Sequence, residues 1–106
     1  MITIEESSGN VYADIGSANA DEMRVKAQLA AKISDIIQRR GWTQLQAAEV
    51  LGISQPKLSK MLRGQFRGIS ETKMLECLTR LGQHIQIIVG PADVTEQTGS
   101  VEVVFA

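Results

Sequence analysis

Residues 43–64 read TQLQAAEVLGISQPKLSKMLRG. This segment predicts two short helices, Gln44 to Leu51 and Gln55 to Arg63, joined by a tight turn. Gly52 stands where the chain needs a positive φ to leave the first helix, a conformation that glycine adopts at least cost. Ala48 is small at the point where the second helix crosses close by. The segment therefore predicts two helices packed at a fixed angle.

The apolar residues of this segment have the spacing of a helix-turn-helix motif. A small residue is followed four positions later by glycine, and aliphatic residues come six and nine positions after the glycine. The predicted apolar contacts between the two helices are Ala47, Leu51, Ile53, Leu58 and Met61. A random pair of helices rarely meets all these conditions, so the segment predicts a helix-turn-helix.

Capping residues extend the helical prediction on both sides of this motif. A long helix is predicted over Asp21 to Arg40, capped by Asn19 or Asp21, with little helix before Asn19. A fourth helix is predicted over Glu71 to Leu81. Its N-cap is Ser70, as Thr43 and Ser54 are the N-caps of the two helices between, and a glycine follows every helix. The predicted apolar stripe of the long helix is Met23, Ala27, Ala30, Ile33 and Ile37.

The hydrophobic period changes after Gly82. Residues 84–89 alternate, which predicts a strand whose apolar face is formed by Ile85, Ile87 and Val89. Val101 to Phe105 is a second β-branched run, and residues 1–4 also alternate. The strand at 84–89 has two candidate partners, one of those segments of its own chain or the same strand of a second subunit. We expect the second arrangement, a homodimer, because a bare edge strand promotes aggregation.

The predicted fold class is therefore mainly α, with four to five helices and a short C-terminal β-strand or hairpin. Three regions follow from this prediction. Residues 1–19 form an acidic arm, residues 20–82 form the helix-turn-helix domain, and residues 83–106 hold the C-terminal strands and tail that we expect to dimerise.

Charge is unevenly distributed along the 106 residues, although the formal net charge is only −1. Residues 1–23 carry −5 and no cation, residues 39–73 carry +5, and residues 74–106 carry −3. A basic centre between acidic ends indicates a polyanion-binding surface in the middle of the chain.

Composition excludes several other classes. A single cysteine permits no intrachain disulfide, which favours a reducing cytoplasm, and one cysteine with one histidine cannot form a Cys/His zinc site. No apolar run approaches the ~20 residues that span a bilayer, and residues 1–10 lack the features of a signal peptide. Scattered carboxylates and a lone His84 give no catalytic arrangement, so we expect neither an enzyme nor a cofactor or metal.

The motif resembles the helix-turn-helix of the Cro/CI repressor class, also called the XRE family, over residues 22–82. That resemblance implies a lambda-repressor-like helical bundle that binds DNA. The wider chain resembles the HigA-like antitoxins of type II toxin–antitoxin pairs in three stretches: NVYADIGSANADE at 10–22, QPKLSKMLRG at 55–64 and LGQHIQIIVGPA at 81–92. This second resemblance implies an autorepressor that also neutralises a small, basic, RelE/HigB-like ribonuclease toxin.

The third predicted helix carries side chains that suit base edges in the major groove. The amide of Gln55 matches adenine N6 and N7, and Lys60 can donate to guanine O6 and N7. Ser59 is an adaptable polar group, and Pro56 offers an apolar contact to a thymine methyl. Many relatives have a polar side chain where Pro56 stands, so we expect modest affinity for each monomer and a dimer on a near-palindromic operator of double-stranded DNA.

Phosphate contacts are expected around this helix. The resemblance implies that Thr43 and Gln44 hold phosphate at the start of the second helix, whose free N–H groups attract anions. Lys57, Arg63 and Arg67 are the expected charge contacts to the backbone. Such contacts set the register of a protein on the duplex, while base contacts set the sequence preference.

Two other functions fit the same residues. One is a stand-alone, phage-type repressor without a toxin partner. The other is a protein-interaction module that kept the fold and lost DNA binding, in which case the basic side chains of the third helix are only a solvated surface.

Overall fold

The computed structural model describes residues 16–91 and 98–106, with side chains from residue 20 onward. Over these residues the chain forms four helices in the order α1 (Gly16–Arg40), α2 (Gln44–Leu51), α3 (Gln55–Leu62) and α4 (Glu71–Arg80). α2 packs against both α3 and α4. The predicted helical fold is confirmed for this part of the chain.

The chain divides into two compact units. One unit comprises residues 26–89 and the other comprises residues 1–25 together with residues 90–106. Residues 26–89 contain α2, α3 and α4 complete, so the helix-turn-helix lies within one unit. The described part of the second unit includes the buried Val25 and the ion pair between Arg24 and Asp21.

The core of residues 26–89 is aliphatic with one aromatic ring. Its fully enclosed side chains are Ile33, Leu51, Leu58, Met61, Met74, Cys77 and Leu81. Phe66 and Ile69, in the loop between α3 and α4, are also buried, so they anchor the loop to the core. Burial raises the pKa of the Cys77 thiol, which keeps that thiol protonated and unreactive.

α1 departs from the sequence prediction at its beginning and in its apolar stripe. The helix begins at Gly16, so Asn19 and Asp21 lie within it and do not cap it. Met23 and Ala27 of the predicted stripe are exposed, whereas Ala30, Ile33 and Ile37 are buried as predicted. Val25, Leu29 and Ile36 are buried as well. Toward the start of α1 the buried row runs through Val25 and Leu29, so the prediction chose a neighbouring row of the helix, a choice that the spacing of apolar residues alone does not settle.

The predicted C-terminal strands are wrong for the described residues. Residues 83–91 and 99–106 have no regular secondary structure. Ile87 is 77% exposed, Ile88 is 82% exposed and Val89 is 91% exposed, so alternation produced no buried face. A strand needs a hydrogen-bonding neighbour, and the described chain provides none. The candidate partner at residues 1–4 and most of the linker before Val101 lie outside the described residues.

Candidate nucleic-acid interface

The start of α2 is fixed by a capping box. The Thr43 hydroxyl oxygen accepts a hydrogen bond from the Gln46 N–H at 3.1 Å, and the Thr43 N–H donates to the Gln46 side-chain oxygen at 2.9 Å. This arrangement leaves the first backbone N–H groups of the helix, at Gln44 and Leu45, pointing away from any helical acceptor. Thr43 and Gln44 are both exposed, so the helix end is accessible to an anion.

The turn between α2 and α3 has the geometry that the sequence predicted. Gly52 has φ +70° and ψ +31°, and its N–H donates to the Ala48 carbonyl at 2.9 Å. Ile53 donates to the same carbonyl at 3.2 Å. Ala48 is buried, which allows the close approach that its size indicated.

α3 begins at an N-cap, as predicted, and has two distinct faces. The Ser54 hydroxyl oxygen accepts a hydrogen bond from the Lys57 N–H at 3.3 Å, and Pro56 lies in the first turn, where a missing N–H costs no helical hydrogen bond. Leu58 is fully buried and Met61 is 1% exposed. Leu62 is only half-buried, because it lines an open groove beside α1.

The opposite face of α3 is presented to solvent. Its four predicted base-reading residues are Gln55, Pro56, Ser59 and Lys60, all exposed except the half-buried Ser59. The charged residues expected at phosphates, Lys57, Arg63 and Arg67, are also exposed. Because α2 packs on α3, the structure brings the exposed start of α2, the polar face of α3 and the following basic loop into one unit. Ile85, Ile87 and Val89 belong to the segment after α4 and not to this helix pair.

Arg80 packs against the turn of the motif, a contact that the sequence did not predict. A Cβ atom placed on Gly52 would lie 3.0 Å from both Cζ and Nη1 of Arg80, so the guanidinium rests directly against the turn. Glu76 orients the same side chain, with Oε2 at 3.4 Å from Arg80 Nε. A local sequence pattern does not predict this contact, because Gly52 and Arg80 are far apart in the chain.

Arg40 is a second missed support, at the end of α1. Its Nη2 donates to the Leu81 carbonyl oxygen at 2.6 Å, and its Cζ lies 5.0 Å from the ring centroid of Trp42. Trp42 is half-buried under this cation, which agrees with a packing role for the indole. The charge at Arg40 therefore holds the ends of α1 and α4 together.

The described residues contain no group of three or more histidine, cysteine or carboxylate side chains placed to hold a metal ion. Within the same residues no helix combines the length and apolar character needed to cross a membrane. His84 is exposed and Cys77 is buried, at separate places in the chain.

The comparisons with known proteins agree with this architecture. A family model described as "Helix-turn-helix domain" matches residues 11–90. A solved structure of a protein named "Putative XRE Family Transcriptional Regulator" superposes with a TM-score of 0.76 at 30% sequence identity, covering 83% of this chain and 99% of that one. The chain belongs to the XRE family of helix-turn-helix proteins. No curated protein sequence matches it.

The match to the family model covers the helix-turn-helix motif. The matched range contains the whole of α2, the Gly52 turn and α3, and it continues through α4 to Gly90. The predicted membership in the XRE family is therefore confirmed. The finer likeness to HigA-like antitoxins stays a prediction.

Proposed function

We propose that this XRE-family protein is a sequence-specific, DNA-binding regulator of transcription that represses its own promoter and reads base edges with α3. The observation that carries the proposal is the two-sided character of α3. Leu58 and Met61 fix one side of the helix in the core, while Gln55 and Lys60 stand exposed on the other. A helix held in this way has the width and rigidity to enter the major groove.

The exposed face of α3 supplies complementary chemistry for particular bases. Gln55, in the first turn, pairs with adenine through its amide, and Lys60, one turn further on, donates to guanine. Pro56 contacts a thymine methyl, and Ser59 adapts to its neighbour. Two strong polar readers on each monomer specify a short half-site.

The surroundings of α3 supply the phosphate contacts. The N–H groups of Gln44 and Leu45 lie at the start of α2, and the Thr43 hydroxyl, which accepts from Gln46, keeps its own hydrogen to donate to a phosphate oxygen. Lys57, Arg63 and Arg67 add positive charge on α3 and the loop after it.

A homodimer completes the proposal. Two reading helices related by a twofold axis match half-sites about 34 Å apart on a near-palindromic operator. Ile85, Ile87 and Val89 are the residues we assign to the interface, and the exposure of Ile87 and Val89 supports this assignment because covering exposed apolar side chains is favourable.

The HigA-like stretches support a second role, as the antitoxin of a small basic ribonuclease toxin. Residues 1–22 and the tail after Gly90 are acidic, and such segments attract a basic surface. If this role is correct, the adjacent reading frame encodes a basic protein of about 100 residues that co-purifies with the chain. A chain that purifies alone, beside no such frame, is a stand-alone repressor.

The proposed DNA reading is tested by fluorescence anisotropy on a labelled duplex from the upstream region of the gene. We expect Gln55→Ala and Lys60→Ala each to cost about 1–3 kcal/mol of binding on the specific duplex and less on a scrambled one. The matched controls are Gln38→Ala and Lys32→Ala, which make the same changes on α1. If neither α3 variant weakens binding more than its control, α3 does not read bases and the fold serves protein interaction.

A further inference from the structure

The first turn of α3 has no buried side chain of its own. Residues 55–57 are all exposed, and the buried side chains of α3, Leu58 and Met61, come only after this turn. The position of Gln55 therefore depends on the chain that leads into the helix, which begins at the Gly52 turn. Whatever holds that turn in place also holds the first residue of α3.

Arg80 contacts this turn from the last turn of α4. Cζ and Nη1 of its guanidinium lie 3.0 Å, and Nη2 lies 3.4 Å, from the place that a Cβ atom on Gly52 would take, so the planar group rests on the turn. Gly52 is also the C-cap of α2, and a cation at the carboxyl end of a helix is favourable. Glu76, one turn earlier on α4, orients the guanidinium, with Oε2 at 3.4 Å from Arg80 Nε.

The part of α4 that carries Arg80 is fixed in the core. Cys77 and Leu78 before it, and Leu81 after it, are each at most 2% exposed. α4 also packs against α2, so the guanidinium reaches the turn from a rigid support. A flat guanidinium that rests on backbone is not replaced by the compact ammonium group of lysine.

We infer that Arg80 is a positioning residue for DNA reading, which sets the place of Gln55 in the major groove through its contact with Gly52. The inference rests on the proposed function, in which Gln55 reads adenine. Lys60 directly precedes the buried Met61, so its position should depend little on the turn. The signature of this role is a defect confined to the base that Gln55 reads.

The test measures affinity by fluorescence anisotropy on the specific and scrambled duplexes. Arg80→Lys keeps the charge and removes the planar group, so it should weaken specific binding at least about threefold and leave binding to scrambled DNA unchanged. The loss caused by Gln55→Ala should be at least about threefold smaller in the Arg80→Lys background than in the wild type. The loss caused by Lys60→Ala should be equal in both backgrounds, because independent sites add.

Two further variants control for charge and for the substitution itself. Arg39→Lys makes the same change at an exposed residue near the end of α1 and should leave every affinity at its wild-type value. Arg80→Met removes the charge as well. Its slope of log K against log salt should equal that of the wild type, because loss of a phosphate contact would make the slope shallower by about one. Circular dichroism and urea unfolding check that each variant is folded where binding is measured.

The other outcomes overturn the inference. Equal losses from Gln55→Ala in both backgrounds leave Arg80 a purely structural residue. Coupling to Lys60→Ala as large as that to Gln55→Ala shows a general loosening of the motif. A shallower salt slope in Arg80→Met, with equal losses on the specific and scrambled duplexes, makes Arg80 a phosphate contact. A wild type that binds no duplex, or that loses nothing on Gln55→Ala, removes the proposed reading as well.

Discussion

Two features of the fold require a glycine at position 52. Its φ of +70° is unfavourable for most residues with a side chain, and its missing Cβ leaves room for the Arg80 guanidinium. The first constraint is visible in the sequence, because a glycine four residues after a small residue is the pattern of this turn. The second depends on α4 and appears only in the folded chain.

Replacing Gly52 separates these two constraints. Gly52→Ala should lower the free energy of unfolding by about 1 kcal/mol or more, because alanine is strained at positive φ. Gly52→Asn adds a Cβ at the same place but tolerates the left-handed conformation, so it should cost less. Urea unfolding measures both values. Equal losses for the two variants would show that contact with Arg80, and not φ, determines the cost.

At the scale of elements, the predicted N-caps were right for three helices and wrong for α1, and the alternation of residues 84–89 was misleading. Thr43, Ser54 and Ser70 were all expected to be N-caps and are, because a capping side chain bonds to backbone only three residues away. The start of α1 and the strand over residues 84–89 were wrong. Both depend on what packs against the element, which a local pattern does not contain.

In the candidate site, too, local features could be predicted from the sequence and contacts between distant residues could not. The exposed face of α3 followed from its own sequence, since burial of Leu58 and Met61 leaves the intervening positions to solvent. The supports from Arg40 and Arg80 join separate helices. Such contacts between distant parts of the chain cannot be predicted from a local sequence pattern.

Arg40 joins two elements and should stabilise the fold measurably. Arg40→Met removes the hydrogen bond to the Leu81 carbonyl and the cation over Trp42, so we expect a loss of about 1 kcal/mol or more in urea unfolding. Arg39→Met is the matched control, because Arg39 makes only an exposed ion pair with Asp35 and should cost less than about 0.5 kcal/mol. Equal losses would contradict a tie between the ends of α1 and α4.

For the whole molecule, the distribution of charge matters more than its sum. A net charge of −1 hides a basic centre that includes α2 and α3 between acidic ends. Long-range attraction to DNA therefore depends on orientation, and we expect it to weaken steeply with salt. In the proposed dimer, two copies of the basic centre on one operator would offset the modest attraction of each.

The proposed dimer interface at residues 85–89 can be tested by measuring the oligomeric state. Sedimentation of the wild type at micromolar concentration should show a dimer, and Ile87→Glu should give a monomer because it buries a charge at the proposed interface. Ile88→Glu is the control, since Ile88 falls on the other face if the segment pairs as a strand. A monomeric wild type, or a dimer that Ile87→Glu leaves intact, would remove the interface we assign.

The most direct measurement is selection of binding sites from a random duplex library, carried out in parallel with wild type and Lys60→Ala. If α3 lies in the major groove, the wild type should select a motif of two symmetric half-sites about one DNA turn apart. Lys60→Ala should lose its preference at one guanine in each half-site and keep the others. An identical motif for both proteins, or no sequence preference in the wild type, would contradict base reading by α3.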